Sequence, residues 1–177
     1  MRSVRALGAI LTILAAGLLL APPATAQPPQ RLAGYVTDEA GALSASGRAA
    51  VTSAIDKLYS ARRVRLWVVY VDDFSGQDAS DWGRRTYRLS DLGDHDALLA
   101  VATSSRAYAF LVPSAIKNVD AKQVNALRRD KIEPALHGND WSGAAVAAAD
   151  GLDAKSTSSG PVVLLVGLAV IAGAAAI

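Results

Sequence analysis

Between Val64 and Pro113 the hydrophobic positions change period twice, and the rest of the chain is arranged around that stretch. Val64-Arg65-Leu66-Trp67-Val68-Val69-Tyr70-Val71 is rich in β-branched and aromatic residues and stops at Asp72-Asp73. It predicts a strand apolar on both faces, which needs helices above and below it. Asp78 to Leu89 then reads as a crossover helix carrying Trp82, Tyr87 and Leu89 and weakened by Gly83. Ala97 to Ala102 is a second apolar run, Thr103-Ser104-Ser105 a turn, and Arg106 to Pro113 its hairpin partner.

Upstream, Leu32 to Leu43 mixes apolar and turn residues, as an extended segment laid on a core would. Ser44 N-caps a helix with a stripe of Val51, Ala54, Ile55 and Leu58, reaching about Ala61. Downstream, Ser114 to Val119 is a loop, and Asp120 caps a helix with Val124, Leu127, Ile132 and Leu136 on one side and Pro134 kinking or ending it. His137-Gly138-Asn139-Asp140 is a turn before an alanine-rich helix from Trp141 to Leu152. The order helix, strand, helix, strand, strand, helix, helix gives an α/β fold over residues 32–153, a small mixed β-sheet sandwiched between helices.

The two ends follow different rules. Arg2 and Arg5 precede the apolar run Leu7 to Ala21, Pro22-Pro23 ends it, and Ala24-Thr25-Ala26 supplies the small residues of a cleavage site. Residues 1–26 therefore read as a secretory signal peptide, the alternative being an uncleaved anchor. Gln27 to Arg31 is a polar, proline-bearing lead-in with nothing to order it. After the linker of residues 154–160, rich in Ser, Thr and Gly, the stretch from Val162 to Ile177 holds only Val, Leu, Ile, Ala and Gly. It reads as a transmembrane helix over 161–177, slightly short of a ~30 Å hydrocarbon core. No Lys or Arg follows it, so the natural chain is expected to continue. Together the ends predict a domain held at the cell membrane on its extracytoplasmic side.

Charge changes the picture once the leader is removed. Arg2 and Arg5 account for the whole formal charge of +2, leaving sixteen basic residues against sixteen acidic. A nucleic-acid partner needs a basic footprint, and this balance argues against one. Arg62-Arg63-Val64-Arg65 lies at a helix C-terminus and Arg84-Arg85-Thr86-Tyr87-Arg88 is mixed with acids; both read as solvated faces rather than phosphate sites. The absence of cysteine excludes disulfides, thiolate metal sites and cysteine nucleophiles.

Strand direction divides the candidate acids. A crossover helix makes the first two long strands parallel, so Asp72 and Asp73 leave at the carboxyl edge, near Asp38 and Glu39, while Asp94 and Asp96 enter at the opposite edge beside Ser114. Either group can offer oxygens to a calcium ion. The i, i+2 spacing of Asp94 and Asp96, with loop carbonyls near Ser114, makes theirs the first choice, and Asp38, Asp72 and Asp73 are the second. The alternative for both is a polar loop facing water. His95, between two aspartates, is the candidate proton donor, against an idle exposed imidazole. No Gly-x-Ser-x-Gly, His-Glu-x-x-His or phosphate-cradling glycine loop occurs.

Val36-Thr37-Asp38-x-Ala40-Gly41-x-Leu43-Ser44, the strand, crossover and hairpin, the Asp-x-Asp loop, and Ile132-Glu133-Pro134 followed by Gly138-Asn139-Asp140-Trp141-Ser142-Gly143 together resemble a TPM domain. That family includes thylakoid-lumen, photosystem-repair and acetylcholine-receptor-regulating members and bacterial envelope proteins. The resemblance implies a Rossmann-like sandwich, a calcium-binding acidic crevice in some members and an acid phosphatase activity in some. Two positions depart from the family pattern. Asp94-His95-Asp96-Ala97 stands where a glycine would lead into the strand, and Pro113-Ser114-Ala115 where a Gly-x-Gly-like stretch would follow the hairpin. Glycine lets backbone approach a ligand closely, so these departures bear on the ligand site. Two functions follow: a membrane-tethered interaction module for an envelope protein partner, with a structural calcium at most, or a phosphatase acting on exported phosphate esters.

Overall fold

The structure, a computed structural model, describes residues 27–117 and 119–154. The signal peptide and transmembrane helix expected at 1–26 and 161–177 lie outside the described residues. Among those described, no helix is long and apolar enough to cross a membrane.

Four strands, β1 (Val36–Asp38), β2 (Arg65–Val71), β3 (Asp96–Ala102) and β4 (Ala107–Leu111), lie in the order β1-β2-β3-β4. The first three are parallel, and β4 returns antiparallel to β3 through the hairpin. The mixed α/β sandwich expected from the sequence is therefore present. One strand escaped it: β1, read as a merely extended segment, pairs Val36, Thr37 and Asp38 with Val68, Val69 and Tyr70. Three residues are too few for an alternation to register, and only the neighbouring β2 makes them a strand.

Alternation along β2 and β3 feeds two cores. Leu66, Val68, Tyr70, Ala97, Leu99 and Val101 face one layer, built on α1 (Ala45–Arg62) through Val51, Ile55 and Leu58 and on the C-terminal helices. Val69, Val71, Leu98, Ala100 and Ala102 face the other, filled by Trp82 of α2 (Ala79–Leu89) and by Phe74 and Leu32. Gly83, a weakness in helix terms, is what lets α2 lie against β4: a Cβ there would come 2.9 Å from that of Ala109. The β1–β2 and β2–β3 crossovers advance across the sheet in the same direction, yet their helices cover opposite faces. The two connections therefore have opposite hands, and one departs from the strongly favoured right-handed form.

Helix α3 (Ala121–Leu127) begins at Asp120 in a capping box with Gln123. It does not end at Pro134. It widens into a π-helical turn over Arg128–Ile132 and resumes as α4 (Glu133–His137). Proline has no N–H to donate, and its ring crowds the carbonyl four residues back; the widened turn just before it accommodates both demands without breaking the path. Helix α5 (Trp141–Asp153), capped by Asp140, packs along α1 and completes the first layer.

Candidate functional site

The loops after β1 and β2 leave for opposite faces, which opens a crevice at the carboxyl edge, where open α/β sheets commonly bind ligands. Here three of the acids, Asp38, Glu39 and Asp73, accept from the chain's own donors, and Asp72 is held through its backbone. Asp38 accepts from the N–H of Ala42 at 2.8 Å and of Leu43 at 3.0 Å, with Arg48 at 3.4 Å, and its side chain is only 3% exposed. It fastens the turn that aims α1. Glu39 accepts from the side-chain amides of Gln27 and Gln30. Asp73 accepts from Gly76 N–H at 3.2 Å. The carbonyl of Asp72 accepts from Ser104 N–H at 3.1 Å.

Gln27 ties these pieces together. Its side-chain oxygen accepts from Asp72 N–H at 3.1 Å, its own N–H donates to the Asp73 carbonyl at 3.4 Å, and its carbonyl accepts from the indole N–H of the buried Trp82 at 2.8 Å. The stretch from Gln27 to Arg31, expected to lack anything that would order it, is thus held: Arg31 pairs with Asp91, and Leu32 N–H donates to Ser90 Oγ at 3.0 Å. Nothing in the sequence marked Gln27, because Asp72, Asp73 and Trp82, which it ties together, lie more than forty residues away. Nearby, Tyr70 donates to the Trp141 carbonyl at 2.7 Å. Burial first, then the charges of Asp38 and Asp140 against that of Arg48, pushes its phenol well above the ordinary range.

At the opposite edge Asp94 and His95 are exposed and Asp96 is half-buried. One oxygen of Asp96 accepts from Gly93 N–H at 2.8 Å, while the other is buried with no partner among the described residues. The Tyr87 hydroxyl lies 2.6 Å from the Gly93 carbonyl and 2.9 Å from that of Asp96, sharing one proton between them. Burial, then the charges of Asp96 and Asp94, pushes Tyr87 up to about 12. Both aspartates thus act on Tyr87. Asp94 also lines a cavity of about 440 Å³ with Arg84, Arg88, Arg128, Phe110 and Pro113. Ser114 belongs to an adjoining cavity of about 500 Å³ beneath α3. The imidazole of His95 stays in solvent while its carbonyl accepts from Arg65 N–H at 2.9 Å.

The acids fall on opposite edges, as strand direction required, and neither group reaches a full metal set. Among the described residues no three His, Asp or Glu side chains are placed to hold one ion.

A TPM domain profile matches residues 36–155, about two thirds of the chain. The chain belongs to the TPM domain family. Two UPF0603 proteins from strains of Mycobacterium tuberculosis are 65% identical to it over 158 residues, covering 89% of this chain. The TPM chain described here spans only 24% of the length of those relatives. A solution structure of the N-terminal domain of the cg2496 protein from Corynebacterium glutamicum is 25% identical, with a TM-score of 0.61 over 79% of this chain and 92% of that one. The N-terminal domain of a P. gingivalis protein, at 17% identity and a TM-score of 0.60, covers 67% of this chain and 79% of that one. The BA42 protein of Bizionia argentinensis, at 15% and 0.55, covers 63% of this chain and 79% of that one. The last two speak to the fold alone.

Proposed function

We propose that this TPM domain is a non-catalytic interaction module of the cell envelope, held on the extracytoplasmic side by its C-terminal apolar segment and engaging a protein partner. One observation carries the reading: the crevice acids Asp38, Glu39 and Asp73 are hydrogen-bonded to the chain's own backbone and amides. Carboxylate oxygens that already accept from the chain's own donors are occupied and oriented away from an incoming substrate or ion.

Calcium fits in part. The unpartnered oxygen of Asp96 and the exposed carboxylate of Asp94 offer two hard donors, and the described residues add no third acid or histidine. Such a site matches the weak end of calcium binding, at dissociation constants on the order of 10⁻⁴–10⁻³ M.

A second reading, an acid phosphatase for exported phosphate esters, draws support from Asp94 sharing a cavity with three arginines. That arrangement would place a phosphate anion beside a carboxylate. Turnover of a chromogenic phosphate ester at acid pH, with and without calcium, separates the two. The interaction reading expects none above the blank; turnover removed by Asp94→Asn or Asp96→Asn establishes the phosphatase instead.

A further inference from the structure

The sheet has two edge strands, and they differ. β1 is three residues long, and Arg48 donates to its Val36 carbonyl at 3.3 Å. β4 is five residues long and lies at the other side of the sheet, paired on one side only, with β3. On its outer side, Arg128 donates to the Phe110 carbonyl and stacks its guanidinium 5.9 Å from the Phe110 ring. An edge strand is a template for another strand, and proteins usually blunt or cover it.

The surface beside β4 is shaped for an occupant. The 440 Å³ cavity meets the 500 Å³ one along Val112, Pro113 and Arg128, and a third of about 370 Å³ joins it at Arg84 and Phe110. Together they form a groove along the edge between the two helical layers. Its α2 wall carries Arg84 and Arg88, an i, i+4 pair on one helix face. Its other wall, the loop before α3 and α3 itself, presents Val112, Ile116, Val119 and Val124 among Ser114, Lys117 and Asn125. The basic residues along the groove are Arg84, Arg88, Arg128 and Lys117. The acids lining it are Asp94 and Asp120, the second already committed to capping α3, and Asp81 pairs with Arg84 at 3.7 Å in a solvent-exposed contact worth little. The chain downstream of the leader is neutral, so this local excess selects an anionic occupant.

We infer that the groove beside β4 receives an extended peptide as a fifth strand, its acidic side chains toward Arg84 and Arg88 and its alternate apolar side chains toward the cavity beneath α3. Alternate residues of a strand point to opposite faces, and the two walls differ in that same way. Main-chain bonds to β4, including the Phe110 carbonyl once Arg128 turns from it to the peptide's carboxylates, supply affinity, and the walls supply the sequence preference. The arginine cluster that reads as a solvated face in the sequence thereby acquires a partner. The inference rests on the interaction-module reading and gives that reading its surface.

The test uses the full chain in detergent micelles and a fluorescein-labelled octapeptide of alternating glutamate and valine. Binding is followed by anisotropy, and the amide signals of Tyr108 to Val112 by NMR. Saturable binding is expected, with those amides shifted and protected. Arg84→Glu with Arg88→Glu, both exposed in the fold, should weaken binding about ten-fold or more, since like charges then face each other. A peptide with proline at the valine positions keeps its charge but loses main-chain donors, and should not bind. Equal binding of the proline peptide, of a lysine-for-glutamate peptide, or by the charge-reversed protein overturns the inference, as does an absence of saturable binding. Failure here with no ester turnover strikes only the groove, whereas turnover abolished by Asp94→Asn strikes the interaction reading itself.

Discussion

At the carboxyl ends of β1 and β2, Asp38, Glu39 and Asp73 accept hydrogen bonds from the chain itself, whereas at the amino end of β3 Asp94 is exposed and one oxygen of Asp96 is buried without a partner. The first edge is the one at which an open α/β sheet would be expected to bind a ligand. In this TPM domain that crevice has become a lock. Gln27 and Glu39 bridge the two loops, and Asp38 holds the entry to α1. The opposite edge opens onto the groove beside β4, where charge and apolar surface are still presented to solvent. Topology alone would have pointed to the edge whose acids are already engaged.

Breaking the lock should have the largest effect. Asp38→Ala leaves the N–H groups of Ala42 and Leu43 without their acceptor in a part-buried turn, and a loss of about 3 kcal/mol in urea unfolding is expected. A loss under about 0.5 kcal/mol would mean that the turn holds without it. Gln27→Ala keeps the backbone carbonyl that serves Trp82 but removes the side-chain bonds to Asp72 and Glu39. About 1–2 kcal/mol should be lost by the same measurement.

The amino edge should respond weakly to the same kind of change. Asp96→Asn still offers an oxygen to Gly93 N–H and removes a carboxylate charge that has an unpartnered buried oxygen. Stability in the absence of calcium should stay within about 0.5 kcal/mol of the parent, as for substitutions outside a committed network. A loss comparable to that of Asp38→Ala would erase the distinction between the edges.

The smallest expected effect is alkaline. Tyr87 has its folded pKa raised from 10.0 to about 12, so the folded state holds its proton more tightly than the unfolded chain does. The stability this contributes is fully present below pH 10 and is lost as the pH rises from 10 toward 12. Tyr70 and Tyr108, raised further, begin to lose theirs over the same range and continue to do so at higher pH. Tyr87→Phe should make the fall in melting temperature shallower between pH 10 and 12 and leave the later part; an unchanged profile would remove Tyr87 from the account.

How much of this was legible depended on the range of the interaction concerned. The run from Val64 to Val71 and the hairpin could be read because β-branched residues and turn signals are local, and the separation of Asp72 and Asp73 from Asp94 and Asp96 followed from one crossover. Asp38 could be named as an edge acid, but its commitment to Ala42 and Leu43 depends on how the turn closes. Gln27 was invisible because it acts on partners brought to it by folding. Arg84 and Arg88 are neighbours on a helix in any reading, yet their pairing with Arg128 across β4 exists only in the tertiary fold. The π-helical turn before Pro134 shows the same limit: the proline announces a disturbance, and packing against α5 decides that the helix continues.

The contrast between the edges is tested most directly by a calcium titration of the full chain in micelles, followed through its backbone amide shifts. Gly93, Asp94 and Asp96 should move at calcium concentrations on the order of 10⁻⁴–10⁻³ M, while Ala42, Leu43 and Gly76, whose N–H groups are held by Asp38 and Asp73, stay in place. Movement of Ala42, Leu43 and Gly76 with Gly93 to Asp96 unchanged would show that the carboxyl edge is a binding crevice rather than a lock, and would contradict the account.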